Sequence, residues 1–256
     1  MCFFYGYAAY KDNIVNTEII RSLAAIGEHN RSAWGVSVMK VPGVIETHRS
    51  PGRCNIDKLL DIVSGSIGVV GHFRTATSGP PSDNNNNQPI PYDQFSFAHT
   101  GCTNSGIYES IYKKLGGDSV FQGKCDSEIF AAQIRKLSEE TGRPPEDCLG
   151  HVIESSLNKR LASSGAFLLL TKSGKLAGND WGWSVHKSIN EKSGVYMATS
   201  APRRTGWVPC KPSACATVLA DPPKVGADTA AEYINDLASS LRFGTATTDT
   251  IRSIPW

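Results

Sequence analysis

The stretch MCFFYGY, residues 1–7, places a cysteine directly after the initiator methionine and an aromatic, apolar run behind it. Aminopeptidases remove Met when the next side chain is small, and Cys2 meets that condition. Removal leaves a thiol and a free α-amine on one residue. An α-amine has a pKa of about 7.7–8.0, so it can serve as the base that activates the thiol. The stretch therefore predicts a buried first strand with a nucleophile at its start, although a cysteine at position 2 also occurs by chance.

Bulk composition excludes several classes of protein. The chain has 256 residues, which is enough for one large domain or two small ones. Its formal net charge is +2, which indicates neither a nucleic-acid-binding tract nor a polybasic membrane patch. Apolar runs such as 166–170 are too short to span a bilayer, and the start lacks the basic flank of a signal peptide. We therefore expect a cytoplasmic protein with no nucleic acid or membrane as partner.

The cysteines indicate neither a metal site nor a disulfide framework. They are scattered, none in CxxC spacing, at positions 2, 54, 102, 125, 148, 210 and 215. This odd, unpaired set is typical of a reducing compartment, and it predicts no zinc site. Cys54, Cys148, Cys210 and Cys215 are expected to be ordinary small apolar residues.

Apolar periodicity predicts an α+β chain. Helices are predicted at 17–26, 56–63, 107–115, 127–140, 144–161 and 230–241. Strands are predicted at 33–41, 66–73, 95–99, 166–171, 175–177, 181–186 and 195–199, and at 8–10 with the aromatics before it. Asn16 or Thr17 is expected to cap the first helix and Asp126 the fourth. The Asn-rich segment 79–91 predicts a surface loop.

Three residues at segment ends have side chains or backbones suited to an active site. Arg74 leaves an apolar strand, where its guanidinium can hold a carboxylate bidentately. Gly101 lies in a turn after a strand and can aim its N–H at an oxyanion. Asp126 can accept from an ammonium group. Together with Cys2 they form the set needed to grip an α-amino acid and attack an amide on its side chain. Taken singly, the three also fit a surface salt bridge, a hairpin glycine and a helix cap.

The order of the motifs resembles the class II glutamine amidotransferases, the N-terminal-nucleophile (Ntn) branch that includes phosphoribosylpyrophosphate amidotransferase. That family begins Met-Cys-Gly, followed by GHxRxxT, an NxQP or NxHP loop, HNG with an Asn close behind, and SDSE opening a helix. The corresponding segments here are GHFRTAT (71–77), NNQP (86–89), HTG (99–101) with Asn104, and CDSE (125–128). The resemblance covers residues 2–204.

This resemblance implies a fold and a reaction, and it implies no metal or cofactor. The fold is the four-layer αββα sandwich of Ntn hydrolases, two antiparallel sheets flanked by helices, with helices 127–140 and 145–161 in one outer layer. Cys2 would attack the glutamine side-chain amide with its own α-amine as base, and glutamate and ammonia would form through a γ-glutamyl thioester. In the substrate pocket, Arg74 with Thr77 would bind the carboxylate of glutamine and Asp126 its ammonium.

Several positions depart from the family pattern at the oxyanion site and behind the nucleophile. Gly101 would still donate its N–H, but Thr100 stands where the family has the Asn that is the second donor. Asn104 would either substitute for that donor or keep a structural role. Phe3 replaces Gly, and Ser78 replaces a common His. His72 and His99 are expected to be hydrogen-bonded structural residues.

The chain's length bears on the ammonia acceptor. Residues 2–256 are expected to form a single domain, with 205–256 as a strand and helix extension too short to be a synthase. A separate synthase subunit would then take the ammonia. Two alternatives stay open: a stand-alone γ-glutamyl amide hydrolase, and a non-catalytic member that binds a partner.

Overall fold

The computed structural model describes residues 2–10, 13–181, 185–190, 194–200, 206–209 and 216–218. By its contacts the chain divides into two units, 1–222 and 223–256, and all described residues belong to the first. The helix expected at 230–241 therefore lies outside the described residues.

Helices in the described part of the chain follow the predicted pattern. They are α1 (Thr17–Gly27), α2 (Ile56–Val63), α3 (Ser105–Leu115), α4 (Glu128–Thr141) and α5 (Pro145–Asn158). Asn16 caps α1, since its side chain accepts from the backbone N–H of Glu18 at 2.9 Å and of Ile19 at 3.4 Å. No described helix is both long enough and apolar enough to cross a membrane.

Two antiparallel sheets make up the centre. The larger one has strand order β11-β9-β10-β1-β4-β2-β3. Its strands are β1 (Phe3–Ala9), β2 (Ala33–Val41), β3 (Val44–Pro51), β4 (Gly68–Arg74), β9 (His186–Asn190), β10 (Gly194–Ala198) and β11 (Val208–Pro209). The smaller one has the order β12-β8-β7-β6-β5. Its strands are β5 (Ile90–Pro91), β6 (Phe95–Thr103), β7 (Ala162–Thr171), β8 (Leu176–Trp181) and β12 (Ala216–Val218).

Strand β1 shows how the layers form. Every residue of it is buried, so both faces of the strand meet apolar neighbours. Because side chains alternate along a strand, Phe3, Tyr5 and Tyr7 pack into the core with α1 and α2. Phe4 and Ala8 point the other way, into the core shared with β7 of the second sheet. The larger sheet is therefore covered by helices on one face and by a sheet on the other.

The second helical layer closes the sandwich. Phe130 of α4 meets Phe167 of β7 edge to face, with ring centroids 5.1 Å apart. Helices α4 and α5 thus cover the outer face of the smaller sheet, as the resemblance implied. The α+β, αββα architecture is confirmed.

Strand β3 was missed by the sequence analysis. It is an edge strand whose side chains alternate between exposed and half-buried, so it lacks an apolar run. The strand expected at 181–186 was also placed wrongly in part, because β8 already ends at Trp181 and β9 begins at His186, while 182–184 lie outside the described residues.

Candidate active site

Cys2 lies immediately before β1, next to the chain leaving β4. The antiparallel register pairs Phe3 with Phe73, which places residues beyond β4 beside Cys2. The half-buried Cys2 Sγ lies 3.4 Å from the backbone N and 3.4 Å from the backbone O of Thr75. The thiol can therefore donate to the Thr75 carbonyl, and a thiolate can accept from its N–H.

Charged groups converge on this thiol. Burial raises the pKa of the Cys2 thiol, while the bond to the Thr75 backbone and the positive charge of Arg74 act in the opposite direction. The negative charge of Asp126 adds to the rise. The structure thus brings Arg74 and Asp126, distant in sequence, within electrostatic range of Cys2. With a raised pKa the thiol is protonated at neutral pH, so its attack needs a base.

The segment around Thr75 is tethered to the chain before β2. The Thr75 hydroxyl donates to Oδ1 of the buried Asn30 at 2.6 Å. The next amide, that of Ala76, donates to Ser32 Oγ at 3.0 Å, and the Ser32 N–H donates to the Arg74 carbonyl at 3.1 Å. These bonds fix the backbone that touches the Cys2 thiol.

Arg74 is buried, with 3% of its surface exposed, so the surface salt bridge considered from the sequence is wrong. Its Nη1 donates to Asn87 Oδ1 at 2.9 Å. Its Nη2 donates to the carbonyl of Gly79 at 2.9 Å and also to that of Ser78. A guanidinium has five N–H donors, so some remain for a carboxylate, but Arg74 also folds the turn that follows it.

Thr100 approaches Cys2 from the second sheet. It is buried on β6, and its hydroxyl donates to the Cys2 main-chain carbonyl at 3.1 Å. A hydroxyl has one proton, so in this structure that proton is engaged away from an oxyanion.

Gly101 occupies a position that requires glycine. Its φ is +152°, and a Cβ there would lie 2.7 Å from His99 Nε2 and 2.9 Å from the carbonyl oxygen of Ser164. It pairs with Gly165 within the β6–β7 ladder, where a bulge follows before Thr103, so the hairpin-glycine alternative is wrong. Bulges of this kind occur beside active sites and re-aim the backbone.

Two of the predicted site residues, Thr77 and Asn104, are exposed, and their side chains form no hydrogen bond with the other predicted site residues in the described chain. Asn104 caps α3, with Oδ1 accepting from the Gly106 N–H at 3.1 Å. Its structural role is therefore observed, while the oxyanion role stays a prediction. Within the described part of the chain the Thr77 hydroxyl makes no hydrogen bond, so it remains available to a ligand.

Asp126 is not the cap of α4. The residue at that position is Ser127, which caps without a side-chain bond. Instead Asp126 Oδ1 accepts from the Ser78 hydroxyl at 2.7 Å, and Oδ2 accepts from the Thr103 hydroxyl at 2.9 Å and the Thr103 N–H at 3.3 Å. The carboxylate thus joins the Arg74 turn to the end of β6.

Part of the segment 79–91, which was predicted to be a surface loop, is buried. Asn86, Asn87 and Gln88 are buried. Gln88 Oε1 accepts from the His99 N–H at 2.6 Å, and Gln88 Nε2 donates to Ser127 Oγ at 2.9 Å. Composition favoured a solvated loop. The NNQP motif was the signal that could have identified these residues as part of the site.

His72 and His99 are buried and neutral. Burial lowers the pKa of His72 to about 3 and that of His99 to about 4. His99 Nδ1 hydrogen-bonds with Ser127 Oγ at 2.9 Å, which confirms its expected structural role. The ring nitrogens of His72 have no hydrogen-bond partner in the described part of the chain, so the expectation of a hydrogen-bonded His72 is wrong.

Phe3 does not crowd Cys2. Its ring points into the core on the helical side of β1, 6.1 Å from the ring of Phe73. Gly27 makes room for it, since a Cβ at Gly27 would lie 2.7 Å from Phe3 Cδ1.

All the cysteines that the structure describes are free thiols. Cys54, Cys125 and Cys148 are buried, which confirms the expectation for Cys54 and Cys148, while Cys102 is exposed. Cys210 and Cys215 lie outside the described residues. Among those described, no group of three or more His, Cys, Asp or Glu side chains is placed to hold a metal ion.

Comparison with known proteins identifies the fold. No family model matches the sequence, and no curated protein is significantly similar to it. The glutamine phosphoribosylpyrophosphate amidotransferase from B. subtilis aligns with a TM-score of 0.58 and 19% identity over 77% of this chain and 42% of that one. A glutamine aminotransferase class-II domain protein from Silicibacter pomeroyi aligns with a TM-score of 0.54 and 16% identity, over 82% and 92% respectively. The fold is that of the class II glutamine amidotransferase domain.

The two similarities differ in how much of the other protein they cover. This chain spans less than half the length of the B. subtilis enzyme, so the class II amidotransferase fold corresponds to only part of that protein. A predicted glutamine amidotransferase from Pseudomonas aeruginosa aligns with a TM-score of 0.50 and 14% identity over 86% of this chain and 93% of that one. The class II fold therefore also occurs in proteins of about this domain's size.

Proposed function

We propose that this protein hydrolyses the side-chain amide of glutamine to glutamate and ammonia, with Cys2 as nucleophile after removal of Met1. The observation that carries the proposal is the convergence of Arg74 and Asp126, of opposite charge, on the Cys2 thiol. An α-amino acid has a carboxylate and an ammonium group, and these two side chains complement both. The class II amidotransferase fold supports the same reaction.

Each residue has a role in the proposed mechanism. The α-amine of Cys2 takes the thiol proton. A base is needed because the pKa of that thiol is raised. The thiolate then attacks the amide carbon, the protonated α-amine gives its proton to the departing nitrogen so that ammonia leaves, and water hydrolyses the γ-glutamyl thioester. The Gly101 N–H would stabilise the tetrahedral oxyanion, and Asn104 Nδ2 is the candidate for a second donor.

We assign Thr100 a different part in the reaction. Its hydroxyl holds the Cys2 carbonyl at 3.1 Å, which supports a role in fixing the nucleophile's backbone. Arg74, with Thr77, would bind the substrate carboxylate, and Asp126 its ammonium. A separate synthase subunit would accept the ammonia. The free thiols among the described residues support a reducing compartment such as the cytoplasm.

The decisive experiment tests whether glutamate release depends on the Cys2 thiol. Protein freed of Met1, verified by intact mass, is incubated with glutamine, and glutamate is assayed for the wild type, Cys2→Ala and Cys102→Ala. Cys102 is the control thiol, because it is free and exposed near the end of β6. We expect release by the wild type and Cys102→Ala only, and a glutamine-analogue electrophile should add one adduct at Cys2. Equal release from Cys2→Ala would disprove the proposal.

Two further measurements distinguish the alternatives, a stand-alone γ-glutamyl amide hydrolase and a non-catalytic protein that binds a partner. Turnover of γ-glutamyl amides with glutamine left intact would favour a stand-alone γ-glutamyl hydrolase on the same machinery. Retention of Met1 in the isolated protein would block the α-amine and favour a non-catalytic, partner-binding role.

A further inference from the structure

Ser78 is bonded to both charged side chains of the candidate site. Its carbonyl accepts from Arg74 Nη2, and its hydroxyl donates to Asp126 Oδ1 at 2.7 Å. The Asp126 N–H in turn donates to Ser78 Oγ at 3.2 Å. One residue therefore connects the group placed to bind a carboxylate with the group placed to bind an ammonium.

Asp126 is held from two sides. Thr103 donates its hydroxyl and its N–H to Oδ2 at 2.9 and 3.3 Å, while Oδ1 receives the Ser78 hydroxyl and a weak contact from the Cys125 thiol at 3.9 Å. A carboxylate has about four acceptor directions. Three hydrogen bonds therefore fix its orientation and leave one acceptor direction of the carboxylate for an ammonium group.

The hydrogen bond from the Ser78 hydroxyl reaches Asp126, the residue proposed to bind the ammonium group. The same turn is also held by Ser32, whose Oγ accepts from the Ala76 N–H at 3.0 Å. No hydrogen bond joins Ser32 to Asp126 in the described chain. Loss of Ser32 would loosen the turn, whereas loss of the Ser78 hydroxyl would also release Asp126 Oδ1.

We infer that Ser78 is a positioning residue that sets the spacing between Arg74 and Asp126 and thereby selects substrates with a carboxylate and an ammonium on one carbon. The inference rests on the proposed function, because it takes the bound molecule to be an α-amino acid. Ser78 itself need not touch the substrate. It acts by holding the carboxylate of Asp126 in the orientation that receives an ammonium.

Kinetics with two substrates test this selection. L-glutamine and glutaramate, which lacks only the α-amino group, are compared in the wild type, Ser78→Ala, Ser78→Thr and Ser32→Ala. We expect Ser78→Ala to raise KM for glutamine about tenfold or more, with little change in kcat. Turnover of glutaramate should stay as in the wild type, and Ser78→Thr should rescue glutamine. Ser32→Ala should affect both substrates equally. Equal effects of Ser78→Ala on the two substrates would overturn the inference.

Binding provides a readout that does not depend on turnover. In a Cys2→Ala background, the thermal shift produced by L-glutamate is compared with that produced by glutarate, which lacks the ammonium group. We expect glutamate to stabilise the parent more than glutarate does, and Ser78→Ala to abolish the difference. If glutamate binds preferentially and the protein hydrolyses nothing, the proposed function fails while the role of Ser78 stands. If the parent shows no preference for glutamate, the inference about Ser78 is wrong.

Discussion

The Thr100 hydroxyl donates to the main-chain carbonyl of Cys2 across 3.1 Å and so ties the end of β6 to the start of β1. The two strands belong to different sheets, and this bond joins them at Cys2. Thr100 is buried, so its hydroxyl has little access to solvent. The position of the thiol therefore depends on a side chain of the opposite sheet.

Thr100→Val is expected to lower glutamine turnover by roughly 10- to 100-fold, because small displacements of a reacting group are costly. The lost hydrogen bond should also cost about 1 kcal/mol of unfolding free energy. Thr100→Ser keeps the hydroxyl and should restore most of the rate. Steady-state kinetics with urea unfolding separate the two effects. A fully active, folded Thr100→Val protein would contradict this role.

Asn30 is expected to act on Cys2 through Thr75. Its Oδ1 accepts a hydrogen bond from the Thr75 hydroxyl at 2.6 Å. In a double-mutant cycle, Asn30→Ala and Thr75→Val should show a coupling of about 0.5–3 kcal/mol in unfolding free energy. Each single variant should also slow glutamine turnover. Asn16→Ala is the control, since it removes a helix cap at a cost of about 1 kcal/mol and leaves turnover intact. Strictly additive effects of Asn30 and Thr75 would rule out the coupling.

Gly101→Ala is expected to abolish turnover and to destabilise the fold. The added Cβ would come within 2.9 Å of the Ser164 carbonyl oxygen, a backbone atom that cannot move cheaply. Gly43→Ala is the matched control, since Gly43 has φ +82° with no atom within 4 Å of the added Cβ. It should cost only the positive-φ strain of about 1–2 kcal/mol and keep activity. Equal losses in unfolding free energy for both variants would show that the contact at Gly101 is unimportant.

Stability is expected to fall as pH drops from about 6.5 to 5. His72 and His99, with pKa values lowered to about 3 and about 4, stay neutral in the folded protein, whereas an unfolded histidine gains a proton below about 6.5. The unfolded state then binds more protons, so unfolding free energy should decrease by up to about 1.4 kcal/mol per pH unit for each histidine. Urea unfolding at pH 7, 6 and 5 measures the slope. His99→Gln should reduce it, and an unchanged slope would refute the assignment.

How far the sequence predicts this site depends on how local the interaction is. The approach of Arg74 and Asp126 to Cys2 was predictable because all three lie in motifs whose order and chemistry resemble those of the class II amidotransferases. The partners of Asp126 could not be predicted, because they depend on the approach of residues 78 and 103 in three dimensions. The helix-cap prediction at Asp126 failed for the same reason, since a local rule competed with longer-range donors.

Buried polar residues in loops were equally hard to predict. Asn86 and Asn87 belong to a run with the composition of a solvated segment, and only the tertiary fold gives them partners. Asn87 accepts from Arg74 at 2.9 Å, and Asn86 accepts from the Lys124 N–H at 2.5 Å. Burial of such amides is tolerated because their hydrogen bonds are satisfied.

Gln88 is expected to be the buried amide whose substitution destabilises the fold most. The stability of Gln88→Glu at different pH values tests its two side-chain hydrogen bonds. Its Oε1 accepts from the His99 N–H and its Nε2 donates to Ser127 Oγ. The carboxylate that this substitution introduces could still accept but could not donate, and burial would raise its pKa. Once protonated, the introduced carboxyl regains a donor for Ser127.

Relative to wild type, Gln88→Glu should therefore be destabilised by about 2–5 kcal/mol at pH 8, and the difference should shrink as pH falls to 6. Comparison with the wild type at each pH removes the contribution of the histidines. Gln94→Glu, at an exposed glutamine, is the control and should stay close to wild type at both pH values. A deficit for Gln88→Glu that does not change with pH would mean that the donor bond to Ser127 contributes nothing.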